Sequence, residues 1–316
     1  MKQPIPQHTR IIDEALSRNF IVEENSPTEA ILRKGNVSVR MRQGIIWDWI
    51  NEKAITICDD KSITKSLFNE LAIPCPLSYT FEKTEELSDV DWNKNYVLKP
   101  VDGSNGDGVK LNVTSIEQVH DYLTRNAAIG PLFLLEEFIE GYDLRIQVIG
   151  KKIVAACERI PAEIIGDGHS TVQALAAQRN EVVRQQNPSN YLSIDDESMR
   201  LIAEQGLTLD AVVPTGKTVR LKEIANMGRG ARAVDCTDEI DPKVAQWVEA
   251  ICQKLNVSYF ALDIICTNRN DISTYKALEL NAQAEWFHHT FSEVRQHDLE
   301  VRIVDELELG IDSETD

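Results

Sequence analysis

Along the first 60 residues the apolar positions come in short, broken groups. Ile11, Ile12, Ala15 and Leu16 fall at helical spacing, and strand-like pieces at 20–23, 30–33 and 37–41 follow, which predicts a small mixed unit. After Asp59 and Asp60 an amphipathic helix places Ile63, Leu67, Phe68 and Leu71 on one face and stops near Ile73-Pro74. Strand patterns at 78–81, 96–99 and 109–112 precede a helix capped by Ser115, with Gln118 three residues on, and a further strand at 132–136. From Gly141 the strands lengthen: 144–149 and 152–159 are joined by the tight turn Gly150-Lys151. Helical patterns at 172–179, at 197–205 and, after Asp241-Pro242, at 244–255 lead to two strands, 259–266 and 275–280. These flank the polar loop 267–274 and read as a hairpin. A last amphipathic helix uses Leu299, Ile303 and Leu307, and the acidic tail 312–316 is expected to fray. The pattern predicts lobes over 1–60, 61–140 and 141–316, with no internal repeat or low-complexity linker.

Composition narrows what such a chain binds. With 33 Lys+Arg against 51 Asp+Glu, the net charge of -18 repels nucleic acid and anionic membranes except where basic residues cluster locally. The first residues carry no apolar leader-like run, and no stretch reaches the length of a membrane span, so a cytoplasmic protein is expected. The six cysteines stand singly, without a C-x-x-C pair, and read as reduced core residues.

Three segments carry candidate chemistry. In the predicted hairpin Glu279 and Asn281 share a face, and antiparallel pairing can bring Asp263 beside them. Two carboxylates and an amide oxygen suit Mg²⁺ shared with nucleotide phosphates; the alternative is a solvated acidic strand face. The flanking Leu262, Ile264, Ile265, Leu278 and Leu280 favour the metal, since buried carboxylates need a partner or a cation. The run 103–108, Gly-Ser-Asn-Gly-Asp-Gly, is an ordinary turn or a phosphate-binding nest of backbone N–H groups. Lys99, embedded in Tyr96-Val97-Leu98, favours the nest, because a lysine in an apolar strand calls for an anionic partner. The apolar strand 132–135 running into Glu136 and Glu137 suits either an adenine slot or a buried strand meeting a solvated turn.

The order Asp60-Lys61, Lys99-Pro100, the loop 103–108, Glu136 to Asp143, Asp263 and Glu279-Leu280-Asn281 resembles the ATP-grasp superfamily across nearly the whole chain. Segments 158–162, 165–171 and 237–242 are similar to the ATP-grasp part of cyanophycin synthetase and to the ligase domain of bifunctional glutathione synthetases. The stretch 11–50 is similar to the latter in particular.

This resemblance implies an α+β ATP-grasp fold: two α+β lobes clasping ATP, with a small N-terminal α/β lobe. It also implies a stand-alone, homodimeric or homotetrameric ATP-dependent carboxylate–amine ligase. Its cofactors would be ATP and Mg²⁺, with Mn²⁺ as an alternative, and its partners small carboxylate and amine substrates such as amino acids or peptides. Lys61 and Lys99 would contact the phosphates, under a loop including Ser104, Gly106 and Gly108. Glu136, Glu137 and Ile139 would line the adenine site and Asp143 would take the ribose, with Asp263, Glu279 and Asn281 on the metal. Arg159, Lys222 (an arginine in relatives) and Arg229 would act at the reaction centre. The implied reaction forms an acyl phosphate that an amine then displaces, which requires no nucleophilic side chain. A kinase stopping at phosphoryl transfer and a non-catalytic nucleotide-binding regulator are the alternatives.

Two departures fall at the expected acceptor pocket. Asn281 leads into Ala-Gln-Ala-Glu-Trp-Phe-His-His without the usual proline turn, and Asn226 is followed by Met-Gly-Arg-Gly-Ala-Arg. Arg229 and Arg232 could hold a substrate carboxylate or phosphate, or be solvated. His288 and His289 are adjacent, and adjacent side chains diverge on a strand or helix, which argues against a metal pair.

Overall fold

The computed structural model of the protein describes residues 5–103, 108–126, 130–186 and 190–312. They form two units: Met1–Ala156, Thr237–Glu285 and Leu299–Asp316 in the first, Cys157–Cys236 and Trp286–Asp298 in the second.

In the first unit, helix α1 (Pro6–Ser17) begins on a proline, whose missing N–H falls where a helix lacks an acceptor, and buries Ile11, Ile12 and Ala15. Strands β1 (Ile21–Ser26), β2 (Glu29–Lys34), β3 (Val37–Arg42) and β4 (Ile45–Ile46) make an antiparallel meander. Two capped helices follow. The Asn51 side chain accepts the Ala54 N–H (2.9 Å) at the start of α2 (Glu52–Asp59). Asp60 accepts from Ser62 and Ile63 (2.8 and 3.0 Å) at the start of α3 (Lys61–Glu70). The apolar pattern predicts only α3, because α2 buries a single residue, Ala54, and so has no apolar stripe.

Strands β5 (Ser78–Phe81), β6 (Tyr96–Pro100) and β7 (Lys110–Val113), helix α4 (Ile116–Arg125) and strand β8 (Phe133–Glu137) come next. The four strands form an antiparallel sheet in the order β5-β8-β6-β7 around Phe81, Tyr96, Leu98, Tyr122 and Phe133. Strands β9 (Tyr142–Ile149) and β10 (Lys152–Ile160) are joined through Gly150 and Lys151, both at positive φ (60° and 64°), as a two-residue hairpin turn requires.

The chain enters the second unit within β10, whose end pairs with β13 as described below. Strand β11 (Glu163–Ile165), helices α5 (Val172–Gln186) and α6 (Asp196–Glu204), and strands β12 (Thr218–Arg220) and β13 (Arg232–Asp235) follow. β11 pairs with β12, and the residues from Cys157 to Ile160 pair with β13, Cys157 opposite Asp235. Ile164, Val172, Ile202, Val213 and Val219 fill this unit's core.

Back in the first unit lie α7 (Val244–Leu255), β14 (Tyr259–Cys266), β15 (Lys276–Asn281) and α8 (Leu299–Asp312). β14 is buried along its whole length between antiparallel β9 and β15, which explains its almost unbroken apolar sequence. Arg18, the C-cap residue after α1, holds Asp305 and Glu308 of α8 at 2.6 and 3.0 Å. Among the described residues no helix is long and apolar enough to cross a membrane; none of the six cysteines is in a disulfide, and four are buried while Cys58 and Cys75 are half-buried.

Candidate active site

The β14–β15 register sets Asp263 directly opposite Glu279 and Ala261 opposite Asn281, so the two acids and the amide project from one face. On the other side of β14 the partner of Asp263 is Arg145 of β9. Asp263 is buried, and Arg145 binds both its oxygens through Nε and Nη2 at 2.8 Å each. Glu279 has the Lys61 ammonium at 3.5 Å. That ammonium also donates to the Gly103 carbonyl, and to the Val101 carbonyl at 3.4 Å, at the mouth of the glycine-rich loop.

A second ion-pair group adjoins the first. Glu136 at the end of β8 is buried between two lysines, with Lys65 at 2.5 Å and Lys99 at 3.0 Å. Burial alone raises a carboxyl and lowers an ammonium. Here burial pulls Lys99 down, but Glu136, with Glu279 and Asp263 beyond it, holds it above the usual lysine range. Burial pushes Glu136 up, yet Lys99 and Lys65 bring it below the usual carboxylate range. Lys65 moves the other way: burial lowers it, and the attraction of Glu136 does not compensate.

Lys61, Lys65, Lys99 and Arg145 thus stand among three carboxylates, Glu136, Asp263 and Glu279. In a chain of net charge -18, this concentration of cations makes a local site for an anionic ligand. The oxygen donors fit a hard divalent ion as well. Asp263 and Glu279 each present two carboxylate oxygens, those of Asp263 braced by Arg145 and one of Glu279 facing Lys61. The buried Asn281 amide nitrogen has no hydrogen-bond partner among the described residues, so no protein bond to that atom has to be broken for the amide to turn its oxygen to a ligand. Asn281 also borders an open cleft of about 180 Å³ lined by Ile55, Cys58, Asp59, Ala282 and Gln283.

The other expected nucleotide residues are placed as follows. Ser104 and Gly106 lie outside the described residues. Gly108 ends the loop at φ +69°, its carbonyl accepting the Tyr122 hydroxyl, and a Cβ there would stand 3.0 Å from Pro100 and 3.1 Å from Tyr122 Oη. Only glycine fits that turn without strain. Glu137 pairs with Lys94 at 3.0 Å, Ile139 is half-buried just past β8, and Asp143 sits opposite Ile265 near the start of β9.

Sequence reading missed Lys65 and Arg145. Both left a signal: Lys65 is one helical turn after Lys61 on α3, and Arg145 interrupts the apolar strand β9 on the same face as Asp143 and Gln147.

With this geometry in hand, similarity to known proteins decides the family. A profile described as the ATP-grasp domain matches residues 58–282. The chain belongs to the ATP-grasp family. Cyanophycin synthetase from Crocosphaera subtropica is 28% identical over 270 residues, covering 82% of this chain and 31% of that protein. The glutathione biosynthesis bifunctional protein GshAB from Streptococcus mutans is 28% identical over 252 residues, covering 73% of this chain and 33% of its own length. The chain therefore spans about a third of the length of these curated relatives. The crystal structure of a bifunctional glutathione synthetase from Pasteurella multocida superposes with a TM-score of 0.71 at 19% identity, over 97% of this chain and 44% of that one. The fold is the α+β ATP-grasp fold, as expected.

The remaining expected residues of this ATP-grasp chain belong to the second unit. Lys222 is 1% exposed and pairs with Asp195 and, at 3.7 Å, with Glu197; Arg229 reaches the same acids at 3.5 and 2.7 Å. Although burial pushes Asp195 up, the Lys222 hydrogen bond and the Ser198 amide bring it down to about 2. Arg159 lies on the final residues of β10, opposite Ala233. Arg232 is not a free surface cation: Glu293 holds it through two bonds of 2.7 and 2.8 Å and Glu163 through a third of 2.7 Å. The expected divergence of His288 and His289 is also corrected. Both are buried in the tight turn Phe287–Thr290, where backbone curvature brings the rings to 4.2 Å between centroids.

Proposed function

We propose that the protein is an ATP-dependent carboxylate–amine ligase that forms an amide or peptide bond on amino acids or a small peptide, releasing ADP and phosphate. The observation that carries this reading is the group Lys61, Lys65, Lys99 and Arg145 around Glu136, Asp263 and Glu279, anion-binding cations and hard-metal donors on one framework. Membership of the ATP-grasp family and similarity to cyanophycin synthetase and to the glutathione biosynthesis bifunctional protein support it.

In this reading Lys61 and Lys99 exchange their carboxylate partners for nucleotide phosphates under the loop that Gly108 closes. Asp263, Glu279 and Asn281 hold Mg²⁺, or Mn²⁺, which supplies charge neutralisation on the transferring phosphoryl group. Glu136, Glu137, Ile139 and Asp143 line the adenosine end. Arg145 holds the Asp263 carboxylate in place through two hydrogen bonds. A substrate carboxylate attacks the γ-phosphorus, ADP leaves, and an amine then adds to the acyl phosphate carbonyl and expels phosphate. On the resemblance to the family alone, Arg159, Lys222 and Arg229 are assigned to charge stabilisation at the acyl phosphate. The cleft beside Asn281 and Gln283 is assigned to the substrate. The same reading makes the protein a cytoplasmic homodimer or homotetramer, on the resemblance to the family alone.

Phosphate release over pairs of amino acids and γ-glutamyl dipeptides, with mass spectrometry of the products, tests the proposal. ADP and phosphate in step with an amide are expected. AMP and pyrophosphate would show adenylate chemistry, and phosphorylation of one substrate without an amine would show a kinase; either defeats it.

A further inference from the structure

In the second unit three metal-ligating side chains that the ligase reading does not use come together. Cys157 from β10 and His288 and His289 from the turn Phe287–Thr290 have ligand atoms that all lie within 4.8 Å of one another. They are 0%, 2% and 0% exposed. Two donors bound to one tetrahedral ion at about 2.0–2.3 Å stand roughly 3.5 Å apart, so a common ion needs donor shifts of about 1 Å or less. Two imidazole nitrogens and a thiolate sulfur are borderline-soft donors, suited to zinc and poorly suited to magnesium.

The surroundings hold this geometry. The His289 carbonyl accepts the His297 amide at 3.0 Å and the Ser292 hydroxyl at 3.2 Å, which fixes the turn that carries both rings. The His297 ring packs edge-on to His289 with centroids 6.4 Å apart, and its Nε2 lies 2.6 Å from Asp235. Asp235 is in turn the ladder partner of Cys157 and accepts from Arg295 at 3.2 Å. One carboxylate thus ties the histidine turn to the strand pair bearing the cysteine, the kind of outer bracing that orients metal ligands.

We propose that Cys157, His288 and His289 form a binding site for one zinc-class divalent cation, separate in chemistry from the oxygen donors Asp263, Glu279 and Asn281. Three protein donors leave a fourth position for water or a polar group of a substrate. Binding displaces the Cys157 thiol proton to solvent.

The full chain, stripped with chelator and kept in excess Mg²⁺ to fill the oxygen site, is titrated with Co²⁺ as a spectroscopic stand-in for zinc. One equivalent is expected to give a thiolate-to-cobalt charge-transfer band and the visible bands of a tetrahedral ion, both displaced by Zn²⁺. Cys157→Ser should abolish the charge-transfer band, and His288→Gln and His289→Gln should each weaken binding by about 10-fold or more. Glu279→Gln and Cys236→Ser should leave the band in place. No charge-transfer band in the wild type, or a band that survives Cys157→Ser, overturns the proposal. X-ray absorption of the zinc-loaded wild type gives a reading independent of any variant's folding: one sulfur and two imidazoles in the shell support the site, and a shell without sulfur rejects it.

Discussion

Arg145 and Asp263 face each other across the β9–β14 ladder and are joined by two hydrogen bonds of 2.8 Å, with both side chains largely withdrawn from water. Removing one member of such a pair strands the other charge. Arg145→Ala should therefore lower stability by about 3–5 kcal/mol, seen as a lower urea midpoint at unchanged slope. Arg145→Lys should recover only part of that, since a lysine cannot reproduce the two-pronged contact. Combining Arg145→Ala with Asp263→Asn should also recover part, because no uncompensated carboxylate is left. An Arg145→Ala protein as stable as the wild type would mean that Asp263 is solvated.

Glu279 is the more accessible of the two acids of the metal set, and its Lys61 contact is a looser 3.5 Å. Glu279→Gln keeps the shape and removes the charge. Unfolding should be nearly unchanged, while turnover falls by about 10²-fold or more, the scale of losing one electrostatic stabiliser. Chelation of the wild type should stop turnover and added Mg²⁺ should restore it. A Glu279→Gln enzyme with normal kcat would remove this residue from the metal set.

The Glu136 carboxylate is held below its usual range by Lys99 and Lys65 despite its burial. A carboxyl depressed in the folded state adds stability that is present above its unfolded value, about 4.3, and is lost as pH falls through the folded value. Urea midpoints should accordingly drop as pH is lowered below about 4, and Glu136→Gln should flatten that slope. At pH 7 the same variant should be less stable by about 3–5 kcal/mol, because Lys65 and Lys99 lose their shared partner. An unchanged acid slope in Glu136→Gln would place the acid dependence elsewhere.

How far the chain was legible follows from what each signal depends on. Strand β14 and helix α7 were bounded to the residue, since a buried strand and a one-sided helix each write their burial into the order of apolar residues. The meeting of Asp263 with Glu279 was also legible, because a hairpin has local register. Arg145 was not, since its partner lies 118 positions away and the pairing of β9 with β14 is set by the whole sheet. Helix α2 escaped because caps and neighbours, rather than an apolar stripe, support it. Cys157 and the two histidines escaped for the same reason as Arg145: only the packing of a distant turn on a strand makes them one cluster.

Lys222 separates a structural role from a nucleotide-binding one. Its ammonium is buried against Asp195 and Glu197, and the hydrogen bond to Asp195 helps bring that carboxyl down to about 2. Lys222→Met should raise the Asp195 titration toward the ordinary value of about 3.9, observable by carboxyl NMR. It should also remove the stability that Asp195 contributes above about 3.9 and loses as pH falls toward about 2. Lys222→Arg keeps the charge and restores the residue type expected at this position in relatives. Its stability should stay within about 1 kcal/mol of the wild type, with the KM for ATP changing by less than about 10-fold. If Lys222→Met instead keeps its Asp195 titration and its stability but loses ATP affinity, the ammonium acts on nucleotide alone. If stability and ATP affinity fall together in Lys222→Met and are both held by Lys222→Arg, the same cation braces the second unit and serves the reaction.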